Sequence, residues 1–176
     1  MILLKCNDNF YLKSIFFLFN QKKIPITLEK SEKYFFELDI IIENNQFIIE
    51  SSTKKSSIKI PITFKLFFSE IKDHFINKFV KIRNFNYDPI NQSITCNNQS
   101  INLNYIHNII FTNLILSADK GVDKIFLYKL IWSQDKDIQI NKLDTHITNL
   151  KNKIKKGINI DLKIVTNTGI LKLIID

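Results

Sequence analysis

Four apolar residues, Leu143, Ile147, Leu150 and Ile154, recur at spacings of three and four in an otherwise polar stretch. Only a helix uses that spacing: at ~100° per residue they fall within one narrow arc. A helix is therefore predicted over Ile140 to Lys156, with Gly157 as its stop. It must bury that stripe against another layer, because an amphipathic helix of this length is marginal alone. Its opposite side carries Asn141, Thr145, Thr148, Asn149 and Asn152, with Lys142, His146 and Lys153 on the edges. Small amide and hydroxyl groups bracketed by cations suit the floor of a DNA major groove. Asn pairs bidentately with adenine, Thr meets a base acceptor or a thymine methyl, and Lys neutralises phosphate.

The neighbouring segments supply the partner layers. Val80–Tyr87, Ser93–Cys96 and Ser100–Leu103 read as strands. Asp88-Pro89 breaks the first pair, and Asn97-Asn98 makes a tight turn that tolerates positive φ. Asn104 is placed to cap a helix running to about Ala118, with Ile106, Ile109, Ile110 and Leu114 inward. Asp123 is placed to cap a second helix ending at Trp132. Leu162–Val165 and Ile170–Ile174 read as a terminal hairpin turning at Asn167-Thr168-Gly169. The order is small sheet, three helices, hairpin.

Charge is distributed unevenly over this half. From Asn141 to Lys172 there are seven lysines (142, 151, 153, 155, 156, 163, 172) against Asp144 and Asp161. Asn84 to Ile140 holds four lysines and five aspartates. The whole chain of 176 residues has a formal net charge of +8, which favours polyanionic partners. Abundant Ile, Asn and Lys match a chain encoded by AT-rich DNA, so the total is weaker evidence than the clustering. Arg83 is the only arginine.

The first half reads as a small α/β unit. Ile2–Lys5 is a strand, Asp8 caps a helix to about Asn20, and Ile24–Leu28 and Leu38–Ile42 are further strands. Phe47–Ile49 is a short fourth candidate. Ser51–Ser57 is read as an exposed loop. Pro61 is read as the first turn of a helix bearing Phe64, Phe68, Ile71, Phe75 and Phe79, a stripe that is either core or a dimer face.

Several exclusions follow. Cys6 and Cys96 are far apart and lack CxxC spacing, so neither a disulfide framework nor zinc is expected. His74, His107 and His146 form no metal-ligand motif, and no phosphate-binding or hydrolase signature occurs, so no cofactor, metal or catalytic site is expected. The opening residues carry no secretory signal pattern, and no apolar run approaches the ~18 residues of a membrane span; a cytoplasmic location is expected.

KIFLYKLIW (124–132), KLDTHITNLKNKI (142–154) and KIVTNTGILKL (163–173) resemble consecutive pieces of OmpR/PhoB-type winged-helix domains. Val122-Asp123 and Ile131-Trp132 match the ends of the family's second helix. Lys142-Leu143, His146-Ile147, Leu150-Lys151 and Lys153 match its recognition helix, and Thr166, Gly169, Lys172 and Leu173 match its wing. Asn149 and Lys151 stand where the family has arginine, which removes a bidentate contact that Asn and Lys do not reproduce; Ile170 replaces a wing glycine and Leu171 a wing tyrosine. The first half resembles a receiver domain that has lost its chemistry. Asn44 falls at the phosphoacceptor position, Cys6-Asn7-Asp8 where an acidic cluster belongs, and Ile58–Ile71 resembles the last receiver strand and helix. Only ~15 residues separate Asn44 from Lys59, too few for two βα units.

The resemblance implies two domains. Residues 1–79 form a shortened, receiver-like α/β unit without phosphorylation chemistry. Residues 80–176 form an α+β winged helix-turn-helix: small antiparallel sheet, three helices, β-hairpin wing. It implies a non-enzymatic transcription regulator whose partner is double-stranded DNA. The contact residues would be Asn141, Lys142, Thr145, His146, Thr148, Asn149, Asn152, Lys153, Thr166, Asn167 and Lys172. RNA polymerase and a second copy, joined through the first domain, are further candidate partners. The competing reading is a winged helix that has lost sequence-specific DNA binding and docks a protein.

Overall fold

A computed structural model describes residues 1–22, 24–30, 33–76 and 78–174. The chain divides into two compact units, Met1–Phe79 and Val80–Asp176. No helix among the described residues is long and apolar enough to cross a membrane.

The first unit holds β1 (Ile2–Cys6), α1 (Asn9–Gln21), β2 (Ile26–Thr27), β3 (Phe36–Glu43), β4 (Gln46–Ser51), β5 (Lys55–Lys59) and α2 (Phe64–Asp73). Asp8 caps α1 as the sequence predicts, its carboxylate accepting from the Tyr11 N–H. The sheet order is β2-β1-β3-β4-β5. The first three strands are parallel, and β3, β4 and β5 form an antiparallel meander. Phe47 meets both Tyr11 and Phe67, Phe19 meets Phe68, and Phe36 meets Phe75, so α1 and α2 share one face of the sheet. The Phe stripe is thus largely core, although Phe79 is exposed.

The other face combines Leu3, Ile41 and Ile48 with a charged row. Cross-strand register aligns Lys5, Asp39, Glu50 and Lys55 in one row. The two adjacent carboxylates repel, and each is flanked by a lysine: Lys5 pairs with Asp39 and Glu37, and Lys55 with Glu50.

Two expectations for this unit are corrected. Ser51–Ser57 is not a loop: residues 52–54 turn, and β5 begins at Lys55. Serines are accommodated there because Ser56 and Ser51 point at His74, which is buried with Nε2 2.8 Å from Ser56 Oγ and Nδ1 3.2 Å from Ser51 Oγ. Pro61 is not in the helix; Thr63 is the cap, accepting from the Leu66 N–H. Ile58–Lys59, which resembles the last receiver strand in sequence, pairs antiparallel with β4. A chain this short lacks the helical crossovers that further parallel strands require.

The second unit starts with an antiparallel meander, β6 (Val80–Ile82), β7 (Phe85–Asp88), β8 (Ser93–Cys96) and β9 (Gln99–Asn102). Val80–Tyr87, read as one strand, is a hairpin turning at Arg83-Asn84, with Arg83 at φ 49. Asn97-Asn98 turn with positive φ as expected. Then follow α3 (Tyr105–Leu116), β10 (Val122–Asp123), α4 (Lys124–Ile131), α5 (Ile140–Ile158), β11 (Lys163–Asn167) and β12 (Ile170–Ile174). Asn104 and Asp123 cap α3 and α4 through their side-chain oxygens.

Burial of α3 extends to its polar residues. The Tyr87 hydroxyl lies 2.6 Å from Asn108 Oδ1 and 2.7 Å from Thr112 Oγ1, and Asn108 Nδ2 donates to the Pro89 carbonyl at 3.1 Å. Tyr87, Asn108 and Thr112 thus satisfy one another, which is the condition for keeping such groups buried. Burial raises the Tyr87 phenol far above its ordinary value.

Two further corrections concern this unit. Gly157 does not stop α5; Asn159 does, in the left-handed region at φ 54. Gly157 lies inside the helix, where a Cβ would overlap Cγ2 of Ile101 on β9. The terminal hairpin is also not two-stranded, since β10 adds a third strand against β12. Gly121, at φ 79, allows the chain to enter that strand where any side chain would meet Ile170 and the Leu171 carbonyl.

Candidate nucleic-acid interface

Helix α5 packs on α3, α4 and β9. Leu143, Ile147, Leu150, Ile154 and Ile158 are buried. Asn141, Thr145, Thr148, Asn149 and Asn152 are exposed in a line on the other side. No side-chain hydrogen bond among the described residues engages Asn141, Asn149 or Asn152. Thr145 donates its hydroxyl to the Asn141 carbonyl one turn back, at 2.8 Å.

The lysines fall into two groups. Lys142 Nζ is 2.9 Å from the Asp135 carboxylate and 4.4 Å from the Trp132 ring centroid. Tyr128 donates its hydroxyl to the same carboxylate at 2.6 Å, and these two donors hold Asp135 below its ordinary pKa. Lys142 therefore belongs to a latch closing the α4–α5 connection. Lys124 pairs with Asp144 at 2.6 Å and Lys155 with Asp161 at 2.8 Å. Lys151, Lys153, Lys156, Lys163 and Lys172 have no ion pair among the described residues. Register places Lys163, Val165 and Asn167 on one face of the hairpin beside Ile174, Lys172 and Ile170. Thr166, although exposed, lies on the face of Leu171 and Leu173.

His146 is half-buried between the Trp132 and His107 rings, at centroid distances of 5.4 and 5.9 Å, rather than on the outer face. His107 is 6 % exposed, and neither of its ring nitrogens has a hydrogen-bond partner. Burial, then His146, then Lys153 lower its pKa to about 4. The native state thus holds His107 neutral, whereas the unfolded chain protonates it below ~6.5. Stability is full above that pH and declines as pH falls toward 4. The expected loss is about 2–3 kcal/mol, measured by urea unfolding at stepped pH and absent in His107→Phe. Equal slopes in both proteins would show that His107 is not the cause. The Tyr128–Asp135–Lys142–Trp132 latch and the His107–His146 contact leave no sequence signal, since their members come from three elements at irregular spacing.

The receiver-like positions do not assemble a phosphorylation centre. Asn44 and Asn45, both at positive φ, are the two turn residues of the β3–β4 hairpin. The Asp8 carboxylate is spent on its cap. Asn7 hydrogen-bonds the Ile42 backbone at both its N–H and its carbonyl, and Asp39 pairs with Lys5.

No family model matches the chain, and no curated protein matches it in sequence. Several solved structures are similar to the chain. It is similar to the C-terminal domain of the nisin resistance regulator NsrR, a lantibiotic response regulator (24% identity, TM-score 0.44, covering 55% of this chain and 96% of that one). It is also similar to a cysteine-to-aspartate mutant of RitR (17% identity, TM-score 0.43, 66% of this chain and 55% of that one). A third is a member of a family of streptococcal redox sensors described as evolved from two-component response regulators. There identity is 13% and TM-score 0.42, over 98% of this chain and 66% of that one.

Proposed function

We propose that this chain is a DNA-binding transcription regulator of the OmpR/PhoB winged-helix type, not an enzyme. In this reading α5 enters the major groove, the β11–β12 hairpin meets the flanking backbone, and the first unit works without aspartate phosphorylation. The observation that carries it is the α5 outer face: a line of exposed amide and hydroxyl residues whose asparagine side chains make no hydrogen bond among the described residues, with lysines that have no ion pair among those residues beside it and on the hairpin. Asn149→Ala should cost about 1–3 kcal/mol on a preferred duplex and much less on random duplex, measured by fluorescence anisotropy. Equal loss on both would remove α5 as the reader.

Small phosphodonors should leave mass and duplex affinity unchanged, because Asn44 is an amide in a hairpin turn. A phosphoryl mass increment on Glu43 or Asp39, with tighter binding, would refute this.

A second reading, a protein-docking module without sequence-specific DNA binding, draws on α4. That helix exposes Ile125, Phe126 and Leu130, an apolar patch a DNA-binding surface does not need. RNA polymerase or a second copy of the chain are the partners this reading would bring.

A further inference from the structure

The chemistry of the α5 outer face limits which bases it can recognise. A bidentate contact to guanine needs Arg or Lys aimed at O6 and N7, and a contact to the cytosine amino group needs a carboxylate. No arginine or carboxylate occupies the centre of this face, and its one lysine there, Lys156, follows Asn152 by a full turn, in the last turn of the helix beyond the asparagines. The chain's only arginine, Arg83, is in the β6–β7 turn, and Lys142 is held by Asp135 and Trp132. Asp144, on the helix flank, is held by Lys124. What remains is Asn141, Asn149 and Asn152, each with a free amide, and two threonines. The amide offers one donor and one acceptor side by side, which matches adenine N7 and N6. The Thr145 hydroxyl is engaged along the helix, leaving its methyl group as the contact for a thymine methyl.

We propose that α5 reads A·T base pairs through the major groove, so that the duplex target has an A·T-rich core. This rests on the DNA-binding reading above. Asn141 to Asn152 spans ~16 Å of helix, the length of about five base-pair steps. The phosphate contacts fall to Lys153 and Lys156 on the helix and Lys163 and Lys172 on the hairpin, and carry no base preference.

The test is selection of duplexes from a random library by the full chain at low salt. Adenines in the selected core are then replaced by 7-deazaadenine. That base lacks the N7 acceptor and leaves the minor groove unchanged. The expected result is a core of about five A·T pairs, whose affinity falls about five- to 150-fold on replacement of a read adenine. Asn149→Ala, or the Ala variant of whichever Asn reads that adenine, should lose no more on the substituted duplex. A G·C-dominated or composition-neutral core would overturn this inference and leave DNA binding standing. An A·T core indifferent to 7-deazaadenine would overturn it too, since shape would then be what is read. If no duplex is retained at any salt, both this inference and the DNA reading fall.

Discussion

Raising monovalent salt from about 50 to 200 mM should lower duplex affinity by about 150- to 500-fold if the proposed DNA binding holds. The figure follows from four or five phosphate contacts, each contributing about −0.9 to the slope of log K against log salt. The contributors are Lys153, Lys156, Lys163 and Lys172, with Lys151 as a fifth, none of which has an ion pair among the described residues. Lys153→Ala should reduce the slope by about one and weaken all duplexes alike. Lys142→Ala should leave the slope unchanged, since that ammonium is already committed to Asp135 and the Trp132 ring. The measurement is anisotropy across a salt series. A flat dependence, or no retarded band with genomic fragments at low salt, sinks DNA binding.

Leu150→Ala should destabilise the second unit by about 2–5 kcal/mol. Leu150 is fully buried on α5, and truncation removes both its transfer free energy and the packing of the cavity left behind. Asn152→Ala, two residues on but facing outward, should change stability by less than about 0.5 kcal/mol. Because the chain has two compact units, a whole-chain unfolding curve need not be two-state. The single tryptophan, Trp132, lies in the second unit, so its fluorescence follows that unit alone. Similar midpoint shifts in urea for both variants would show that the buried and exposed sides of α5 are misassigned.

Where one local signal decided an element, the sequence was readable. The stripe Leu143–Ile154 and the caps Asp8, Asn104 and Asp123 each depend on near neighbours, and each is found in place. Where partners distant in sequence decided, it was not. Ser56 looks like loop until His74 arrives from 18 residues away to hydrogen-bond it. Gly157 reads as a helix stop because Ile101, the reason for its small size, is on another strand. The outer face of α5 was legible as a face. The withdrawal of Lys142 into the latch and of His146 between two rings was not, since both depend on the loop that brings Trp132 and Asp135 alongside.

The two-residue strand β10 has a mechanical consequence. It bonds to β12 on one side and runs directly into α4 on the other, and the Lys124 N–H donates to the Gly169 carbonyl at the hairpin tip. Hairpin and helix are thereby riveted together, so the tip cannot swing like a free arm. A duplex meeting both α5 and the hairpin would have to present its groove and its backbone at one fixed pitch. Tolerance for a mismatched spacing would then have to come from bending the duplex, with the protein acting as the stiff gauge against which it is measured.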